Sequence, residues 1–466
     1  MSISDFKLRI NEIAREVNKY LENVETVRVI SHYDTDGICA ASIICKMLLR
    51  KNKKFHISLI KQLEKEKIAE LEKETYSFFI FTDLGAGQIE NLINLSKSSK
   101  ILILDHHQLK DSINNENIIH INPHLFNIDG SEISGAGVSY LFTKEIDEKN
   151  SDLVHLAIIG AIGDRQEKDG KFFGINEMLL SEAVNSNIME VKKGLRIFGR
   201  VSRPIHIVLQ YSTDPFIPGV SGNESGAVRF LSDIGIKIKD ESGRWRRMCD
   251  LSEEEERKLV TAVIMRRLDT SEKPEDVLGN VYTIKGASDI LSDAHEFSSL
   301  LNACGRMNSA SIGVMLCIGS NGNLIENVRE IMQQYKIKIL NALNWVLENL
   351  NNKERIITTD KCFYIIGKGD IDDNIIGTVC SIILESGTIT TKRIIVGFAN
   401  RENKVKVSIR SKDEYVNIGK ICGQIAKKLN FEGGGHKHAG GARINLNSEK
   451  EFINEFEKYL NEDLQK

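Results

Sequence analysis

At residues 101–107 the chain reads Ile101-Leu102-Ile103-Leu104-Asp105-His106-His107, and this stretch decides the fold class of the first part of the protein. Four apolar residues run directly into an acid and two histidines. A short apolar run bounded by polar residues is typical of a buried strand in a parallel sheet. The polar triplet then lies just beyond the carboxyl end of that strand, which is where open α/β sheets bind their ligands.

The surrounding 130 or so residues repeat this alternation of strand and helix. The pattern predicts strands at 26–30, 55–60, 78–82, 100–104 and 118–122, and helices at 5–22, 38–49, 61–73, 134–144 and 153–162. Such an alternation predicts an α/β fold with a doubly wound parallel sheet. We expect this first domain to span residues 1–175.

The remainder of the chain is expected to form two further domains. Residues 176–350 contain helical patterns and loop-like Pro and Gly clusters, which predict an α-rich middle insertion that ends in a long helix over 325–350. Residues 351–466 predict a smaller C-terminal α/β domain, with strands at 362–366, 393–398 and 404–409 and a helix at 416–429. That helix leads into the glycine loop Gly433-Gly434-Gly435-His436.

The composition is that of an ordinary globular protein. Hydrophobic residues make up 41% of the 466 residues and charged residues 27%. The formal net charge is -3, so the overall charge gives no indication of a nucleic-acid partner. The N-terminus lacks an apolar signal region and no apolar run approaches the length of a membrane span, so we expect no membrane partner. The eight cysteines are scattered without a C-x-x-C pair, which favours a cytoplasmic location and disfavours structural zinc.

Acids and histidines stand at four predicted strand or helix ends. Taken alone, each aspartate is more typical of a helix cap, and a His-His pair of a surface pair. Together they predict a bound cation, because clustered carboxylates repel one another unless a cation neutralises them. Oxygen and imidazole ligands suit Mn²⁺, with Mg²⁺ or Co²⁺ as alternatives, and so many ligands suggest two ions about 3.5–4 Å apart. The residues are His32, Asp34, Asp36, Asp83, Asp105, His106, His107 and Asp164.

The glycine loop has features that are typical of a phosphate-binding segment. Without side chains, Gly433, Gly434 and Gly435 let backbone N–H groups approach a phosphate closely, and Arg410 is able to fork onto it. The alternative is a glycine-rich turn that joins a helix to a strand.

Basic residues recur in the middle segment. They either form a solvated helix face or follow the backbone of a single strand, with Trp245 stacking on a base. They are Lys192, Lys193, Arg196, Arg200, Arg203, Arg244, Arg246 and Arg247.

The motifs resemble those of a known superfamily. In order, His32-x-Asp34-x-Asp36-Gly37, Asp83-Leu84-Gly85, Asp105-His106-His107 and Gly163-Asp164 are similar to the four motifs of the DHH phosphoesterases. The glycine loop, with Ser408-Ile409-Arg410 before it, resembles the DHH-associated domain of RecJ-type nucleases and nanoRNases. Asn302-Ala303-Cys304-Gly305-Arg306 and Tyr211-Ser212-Thr213-Asp214 are similar to archaeal RecJ-like proteins, some of which associate with the replicative GINS complex.

The resemblance implies roles for individual residues. One cation would be held by His32, Asp34 and Asp83, and the second by Asp36, Asp83, His106 and Asp164, with Asp83 bridging. Asp83, Asp105 and His107 form the implied catalytic set, in which Asp105 orients an imidazole or the loop and His107 contacts a phosphate. The implied substrate-binding residues face the metal domain across a cleft; they are Ser408, Arg410, Gly433, Gly434, Gly435 and His436.

The function implied by the resemblance is hydrolysis of a phosphodiester. The leading prediction is a RecJ-like exonuclease on single-stranded DNA or RNA, acting in DNA repair, replication or RNA turnover, in which a water activated by two metals attacks phosphorus. The alternatives are a phosphodiesterase for short oligonucleotides (a nanoRNase) or cyclic dinucleotides, and a replication-fork subunit that holds the GINS complex without hydrolysis. An inorganic pyrophosphatase ranks last, because that branch lacks such a C-terminal domain.

Overall fold

The computed structural model describes residues 2–109, 115–212, 215–268, 273–287, 289–319, 324–386, 389–435 and 437–463. It divides the chain into two compact units, residues 1–331 and 332–466. The division into three domains stays a prediction.

A parallel five-stranded sheet forms the centre of the first unit, in the order β2-β1-β3-β4-β5. The predicted doubly wound sheet is therefore confirmed. Strands β3 and β4 are apolar and almost wholly buried, because helices cover both faces of the sheet. The strands are β1 (Thr26–His32), β2 (Lys54–Ile60), β3 (Phe78–Thr82), β4 (Lys100–Leu104) and β5 (Ile118–Ile121).

Six helices accompany this sheet along the described part of the chain. The five predicted helices are present, although some bounds differ, and α4 was not predicted. Helix α2 begins three residues earlier than predicted, because the Asp34 side chain accepts a hydrogen bond from the N–H of Gly37 (3.1 Å) and caps it. The helices are α1 (Ile3–Glu22), α2 (Thr35–Arg50), α3 (Lys65–Leu71), α4 (Ile89–Leu92), α5 (Gly135–Ile146) and α6 (Val154–Gly163).

The order of the strands locates a crevice. The chain passes from β1 to β2 on one side and then returns to β3 on the other side of β1. Such a reversal opens a crevice at the carboxyl ends of the two strands that flank it. His32 ends β1 and Asp83 follows β3, so both lie at this crevice.

The middle segment is rich in helices, as predicted, and it contains a hydrophobic cluster of its own that includes Leu209, Phe230 and Leu259. An antiparallel pair of strands, β6 and β7, was not predicted. Lys192 and Lys193 lie on β6, so the helical reading of these two residues is wrong. The elements are α7 (Gly174–Asn185), β6 (Met189–Leu195), α8 (Ile205–Gln210), α9 (Glu224–Asp233), α10 (Glu253–Arg267), β7 (Leu278–Ile284), α11 (Ala294–Arg306) and α12 (Ala310–Cys317).

Helix α13 (Leu324–Glu348) includes the boundary between the two units. The second unit contains a six-stranded sheet in the order β12-β13-β11-β10-β9-β8, with its own apolar core. The glycine loop is corrected here: Gly433–Gly435 belong to strand β12 and pair with β13. The elements are β8 (Ile356–Thr358), β9 (Cys362–Lys368), α14 (Ile376–Ser386), β10 (Ile394–Arg401), β11 (Lys404–Ser411), α15 (Ile418–Leu429), β12 (Glu432–Gly435), β13 (Ala439–Asn445) and α16 (Glu449–Asp463).

Within the described ranges, no helix has both the length and the apolar character needed to cross a membrane.

Candidate metal centre

Hydrogen bonds between hydroxyl groups fix the carboxyl ends of β1 and β3 against each other. The Thr82 hydroxyl donates to the Ser31 hydroxyl (2.7 Å), which in turn donates to the carbonyl of Gly37 (2.7 Å). All three residues are buried. The end of β1 is therefore tied both to the first turn of α2 and to the end of β3, which brings the side chains of these segments to one place.

The first predicted group of ligands is assembled in the structure. His32 Nδ1 lies 3.0 Å from Asp34 Oδ2 and 3.4 Å from Asp83 Oδ2. The donor atoms of these three residues all lie within 4.8 Å of one another, which is close enough to bind one ion.

The second predicted group is assembled around His106. Its Nε2 atom lies 3.1 Å from Asp164 Oδ2, 3.5 Å from Asp83 Oδ1 and 3.8 Å from Asp36 Oδ2. These four donor atoms also lie within 4.8 Å of one another. Residues from the first turn of α2 and from the segments directly after β3, β4 and α6 therefore converge, although up to 128 positions along the chain separate them.

Asp83 belongs to both groups, and it presents a different oxygen to each. Oδ2 faces His32, whereas Oδ1 faces His106. The backbone of Asp83 is left-handed (φ +55°), a conformation that aspartate tolerates better than most residues. Its N–H donates to the carbonyl of Leu104 (2.9 Å), which fixes this unusual conformation against β4. A carboxylate held in this way is placed to bridge two cations.

A backbone carbonyl determines which nitrogen of His106 faces the carboxylates. Nδ1 lies 2.8 Å from the Gly130 carbonyl and donates to it, so that Nε2 carries the lone pair of the neutral ring. Gln166 reinforces this contact, because its side-chain amide donates to the same carbonyl (3.0 Å). Metal-binding histidines are commonly oriented by such a hydrogen bond from the other ring nitrogen.

The N-terminus of α5 holds the carboxylate of Asp36. Oδ2 accepts from the N–H of Gly135 (2.6 Å) and Oδ1 from the N–H of Ala136 (3.0 Å). The first N–H groups of a helix have no partner within the helix and carry a partial positive charge. Asp36 is thereby fixed in position beside Asp83.

The pKa shifts show how crowded the negative charges are. Burial, together with Asp83 and Asp164, raises the pKa of Asp36 well above its ordinary value, and burial likewise raises the pKa of Asp164. Burial alone would lower the pKa of His106, but the neighbouring carboxylates outweigh it and raise that pKa well above its ordinary value. Without a cation, the cluster therefore retains protons that ordinary carboxyl and imidazole groups would release.

Two buried atoms of the site lack hydrogen-bond partners among the residues that the structure describes, which is expected of atoms that coordinate a divalent cation. Asp83 Oδ1 and His106 Nε2 are buried, and neither has a hydrogen-bond partner in the described part of the chain. An unpaired buried polar atom costs about 1–3 kcal/mol, and these two atoms, 3.5 Å apart, escape that cost without a cation only when a proton is retained between them. A cation coordinated by both atoms would remove this cost, and oxygen and imidazole are ligands that Mn²⁺ and Mg²⁺ accept.

Asp105 positions the neighbouring imidazole and does not join either group. Its Oδ1 accepts from His107 Nδ1 (2.7 Å) and its Oδ2 from the N–H of Ala86 (2.8 Å). Burial would lower the pKa of His107, but Asp105 and Asp83 outweigh it and raise the pKa to about 9. The side chain of His107 is about half exposed, so a protonated imidazole faces the crevice.

We expect Asp105→Asn to lower hydrolysis about ten- to a hundredfold while cation binding is retained. The amide keeps only one acceptor oxygen, so it cannot hold both His107 and the N–H of Ala86. Initial rates and Mn²⁺ titration of the same preparation check this. Loss of Mn²⁺ binding in this variant would instead make Asp105 a ligand.

Two residues that were not predicted as part of the site lie beside the first group. Arg306, at the end of α11, donates to the Tyr33 hydroxyl and lies 5.3 Å from the centroid of that ring. Gly305 permits this approach, because a Cβ atom there would lie 2.1 Å from the Tyr33 carbonyl oxygen. Arg306 Nε is buried without a hydrogen-bond partner among the described residues. The Cys304-Gly305-Arg306 run was the available sequence signal.

The predicted substrate residues lie in the second unit. Ser408 is buried on β11, and Arg410 on the same strand donates to Ser381 Oγ (3.1 Å) and to the Ile409 carbonyl (2.8 Å). Gly433, Gly434 and Gly435 form edge strand β12. His436 lies outside the described residues. That these residues contact substrate stays a prediction.

Comparison with known proteins supports the motifs. Family models described as the N-terminal domain of the DHH family, the DHH-CID domain and the DHHA1 domain match residues 26–161, 197–278 and 359–462. An uncharacterized protein of Methanocaldococcus jannaschii is 32% identical over 458 residues, which cover 96% of this chain and 96% of that protein. The chain belongs to the DHH superfamily.

Solved structures show that this DHH protein has a RecJ-like fold. RecJ of Thermus thermophilus, determined with Mn²⁺, is 17% identical with a TM-score of 0.61, and the match covers 97% of this chain but only 54% of RecJ. CDC45 of Entamoeba histolytica is 12% identical with a TM-score of 0.64, and the match covers 97% of this chain and 98% of CDC45. The predicted superfamily and fold class are therefore confirmed.

Proposed function

We propose that this RecJ-like protein is a metal-dependent phosphodiesterase that removes nucleotides from an end of single-stranded DNA or RNA. The observation that carries the proposal is the Asp83 carboxylate, which presents one oxygen to each of two ligand groups. RecJ of T. thermophilus, which shares the fold, is described as a Mn²⁺ complex.

His32, Asp34 and Asp83 would hold one cation, and Asp36, Asp83, His106 and Asp164 the other. When bound, two such cations supply Lewis acidity that lowers the pKa of water and stabilises charge on phosphoryl oxygens. Mn²⁺ is the ion that suits these ligands best, with Mg²⁺ or Co²⁺ as alternatives.

The remaining residues orient the substrate. Asp105 occupies Nδ1 of His107, so the Nε2–H of that ring is left to donate to a phosphoryl oxygen. Arg306 is held beside Asp34 by Tyr33, and its guanidinium provides a second positive charge next to the first ligand group. Charge-assisted hydrogen bonds of this kind position a phosphodiester for attack and stabilise the charge that develops on it.

Arg306→Gln is expected to lower kcat/KM about ten- to a hundredfold, which is the value of one or two hydrogen bonds to a charged group. Steady-state rates on a single-stranded oligonucleotide measure the effect. Arg329→Gln is the control, because Arg329 is exposed and forms a surface pair with Glu326 on α13. Equal kinetics of the Arg306 variant and the control would remove Arg306 from the site.

A time course on end-labelled single-stranded DNA and RNA, with Mn²⁺ or with a chelator, tests the proposal. We expect stepwise shortening from one end that requires the metal. Products from 5′- and 3′-labelled strands give the polarity, and parallel DNA and RNA strands give the sugar preference. Turnover restricted to dinucleotides or cyclic dinucleotides would contradict the proposal and favour the short-substrate alternative.

The similarity to CDC45 over nearly the full length of both chains favours a second candidate function, a replication-fork subunit that binds the GINS complex. The two functions differ in what they require of the ligands. A scaffold has no need of a bridging carboxylate, whereas this chain carries every ligand of both groups. Stable binding to the GINS complex with no hydrolysis under Mn²⁺ would favour the scaffold.

A further inference from the structure

Ion pairs neutralise several of the arginines in the middle segment. These side chains contact carboxylates of the same segment, so they do not offer free charge to a ligand. The pairs are Arg200–Glu256 (2.7 Å), Arg244–Asp240 (2.9 Å), Arg246–Glu255 (2.7 Å) and Arg247–Asp250 (3.3 Å).

Two other cations of this segment lie against aromatic rings. The guanidinium carbon of Arg203 is 5.2 Å from the centroid of Phe198, and Lys239 Nζ is 4.2 Å from that of Trp245. Within the described chain neither forms an ion pair. The carboxylate that acts most strongly on Arg203 is that of Glu296, which forms no ion pair with it among the described residues; Glu296 Oε1 accepts from the N–H of Val201 (2.8 Å).

Helix α8 connects the two cations. Arg203 lies two residues before the helix, His206 is on its first turn and Tyr211 directly follows it. The ring of His206 lies 4.5 Å from that of Trp245, and Tyr211 is close enough to Arg203 to act on its pKa, which burial lowers. Trp245 is 48% exposed and Tyr211 65% exposed, so both rings are open to solvent. We call Phe198, Arg203, His206, Tyr211, Lys239 and Trp245 the α8 face.

We propose that the α8 face binds a length of single-stranded nucleic acid, with bases stacked on Tyr211 and Trp245 and phosphates at Arg203 and Lys239. The class of ligand rests on the proposed function, whereas the surface itself is separate from the metal centre. Exposed aromatic rings beside unneutralised cations are the means by which proteins bind single strands without sequence preference. Lys239 has a flexible stem, so a base is able to displace it from Trp245 while its ammonium moves to the adjoining phosphate.

The test is fluorescence anisotropy of the full chain in a chelator, with oligothymidylates of about 16 and about 4 nucleotides, the limits of common site sizes. The longer strand is expected to bind more tightly. Trp245→Ala and Tyr211→Ala should each weaken its binding about tenfold, and the loss for the short strand should be no larger, because that strand covers fewer of the stacking and charged positions. Arg203→Gln and Lys239→Gln should each reduce the slope of log K against log salt by about 0.7.

Controls come from the same segment. Met265→Ala removes a side chain that is 62% exposed on α10, and Arg244→Gln removes a guanidinium that already pairs with Asp240; both should leave binding unchanged. Trp245→Phe and Tyr211→Phe keep an aromatic ring and should retain tight binding, which separates stacking from misfolding. Unchanged binding of the long strand by the two alanine variants would overturn the proposal, even if the same variants lost a protein partner.

The outcome is independent of hydrolysis. Because no metal is present, the anisotropy measurement reports binding whether or not the protein is a nuclease. If the protein is an active exonuclease but Trp245→Ala and Tyr211→Ala bind the strand like the wild type, only the proposed role of the α8 face is wrong. A protein without nuclease activity whose alanine variants still lose affinity would support the face and contradict only the proposed hydrolysis.

Discussion

Asp83→Ala is expected to abolish hydrolysis, with a loss of about a thousandfold or more, because one substitution removes a ligand from both cation groups. His32 and Asp34 would lose the carboxylate oxygen that faces them, and so would His106 on the other side. Initial rates on an end-labelled single strand at saturating Mn²⁺ measure the effect.

Two controls accompany this variant. Asp83→Asn keeps the shape of the side chain but removes its charge, so its activity should also be lost. In a chelator, Asp83→Asn should unfold at a temperature equal to or above that of the wild type, because loss of one buried negative charge relieves the repulsion around Asp36 and Asp164, and asparagine tolerates the left-handed backbone. A rate comparable with that of the wild type would refute the bridging role of Asp83.

Gly160→Ala is expected to reduce hydrolysis about a hundredfold although it removes no ligand. Gly160 lies on α6, where an added Cβ atom would be 2.3 Å from Asp36 Oδ1 and 2.6 Å from the Cβ of Ala136. The methyl group must displace either the carboxylate or α5, which holds that carboxylate through Gly135 and Ala136. Rates and Mn²⁺ affinity should therefore both fall.

The matched control is Gly423→Ala. Gly423 is also a helical glycine, but nothing lies within 4 Å of its added Cβ atom. Alanine should stabilise that helix by up to about 1 kcal/mol and leave activity unchanged. If Gly160→Ala hydrolysed substrate as fast as Gly423→Ala, the position of Asp36 would not matter for the reaction.

The sheet and the ligand groups were accessible from the sequence because their signals are local. Strands β3 and β4 occupy the predicted residues, since short apolar runs end sharply at Asp83 and Asp105. The carboxyl ends of parallel strands lie at one edge of the sheet, so the side chains that follow these strands are expected to lie close together. The pattern therefore predicted this set of side chains, whereas their division into two ligand groups came from the resemblance to the DHH phosphoesterases.

Other features depend on contacts between distant segments. Tyr33 and Arg306 are 273 positions apart, and only the packing of α11 beside the loop after β1 brings them together. Strand β6 pairs with β7, from which residues 196–277 separate it, and the lysines of β6 gave no local strand signal. Three successive glycines have low strand propensity, and Gly433–Gly435 become a strand only because β13 lies alongside.

The sequence also did not show which arginines of the middle segment form ion pairs. The sequence alone did not distinguish Arg203 from Arg200, because both lie in one basic run. The structure separates them, since Arg200 pairs with Glu256 whereas Arg203 stacks on Phe198. Burial and pairing, rather than residue type, decide which cations are available to a ligand.

The central claim is that two cations share Asp83, and anomalous diffraction from crystals grown with Mn²⁺ tests it most directly. The account predicts two peaks about 3.5–4 Å apart. One should lie among His32, Asp34 and Asp83, and the other among Asp36, Asp83, His106 and Asp164. A saturating Mn²⁺ soak that leaves these positions without anomalous density, or that places the metal elsewhere, would contradict it.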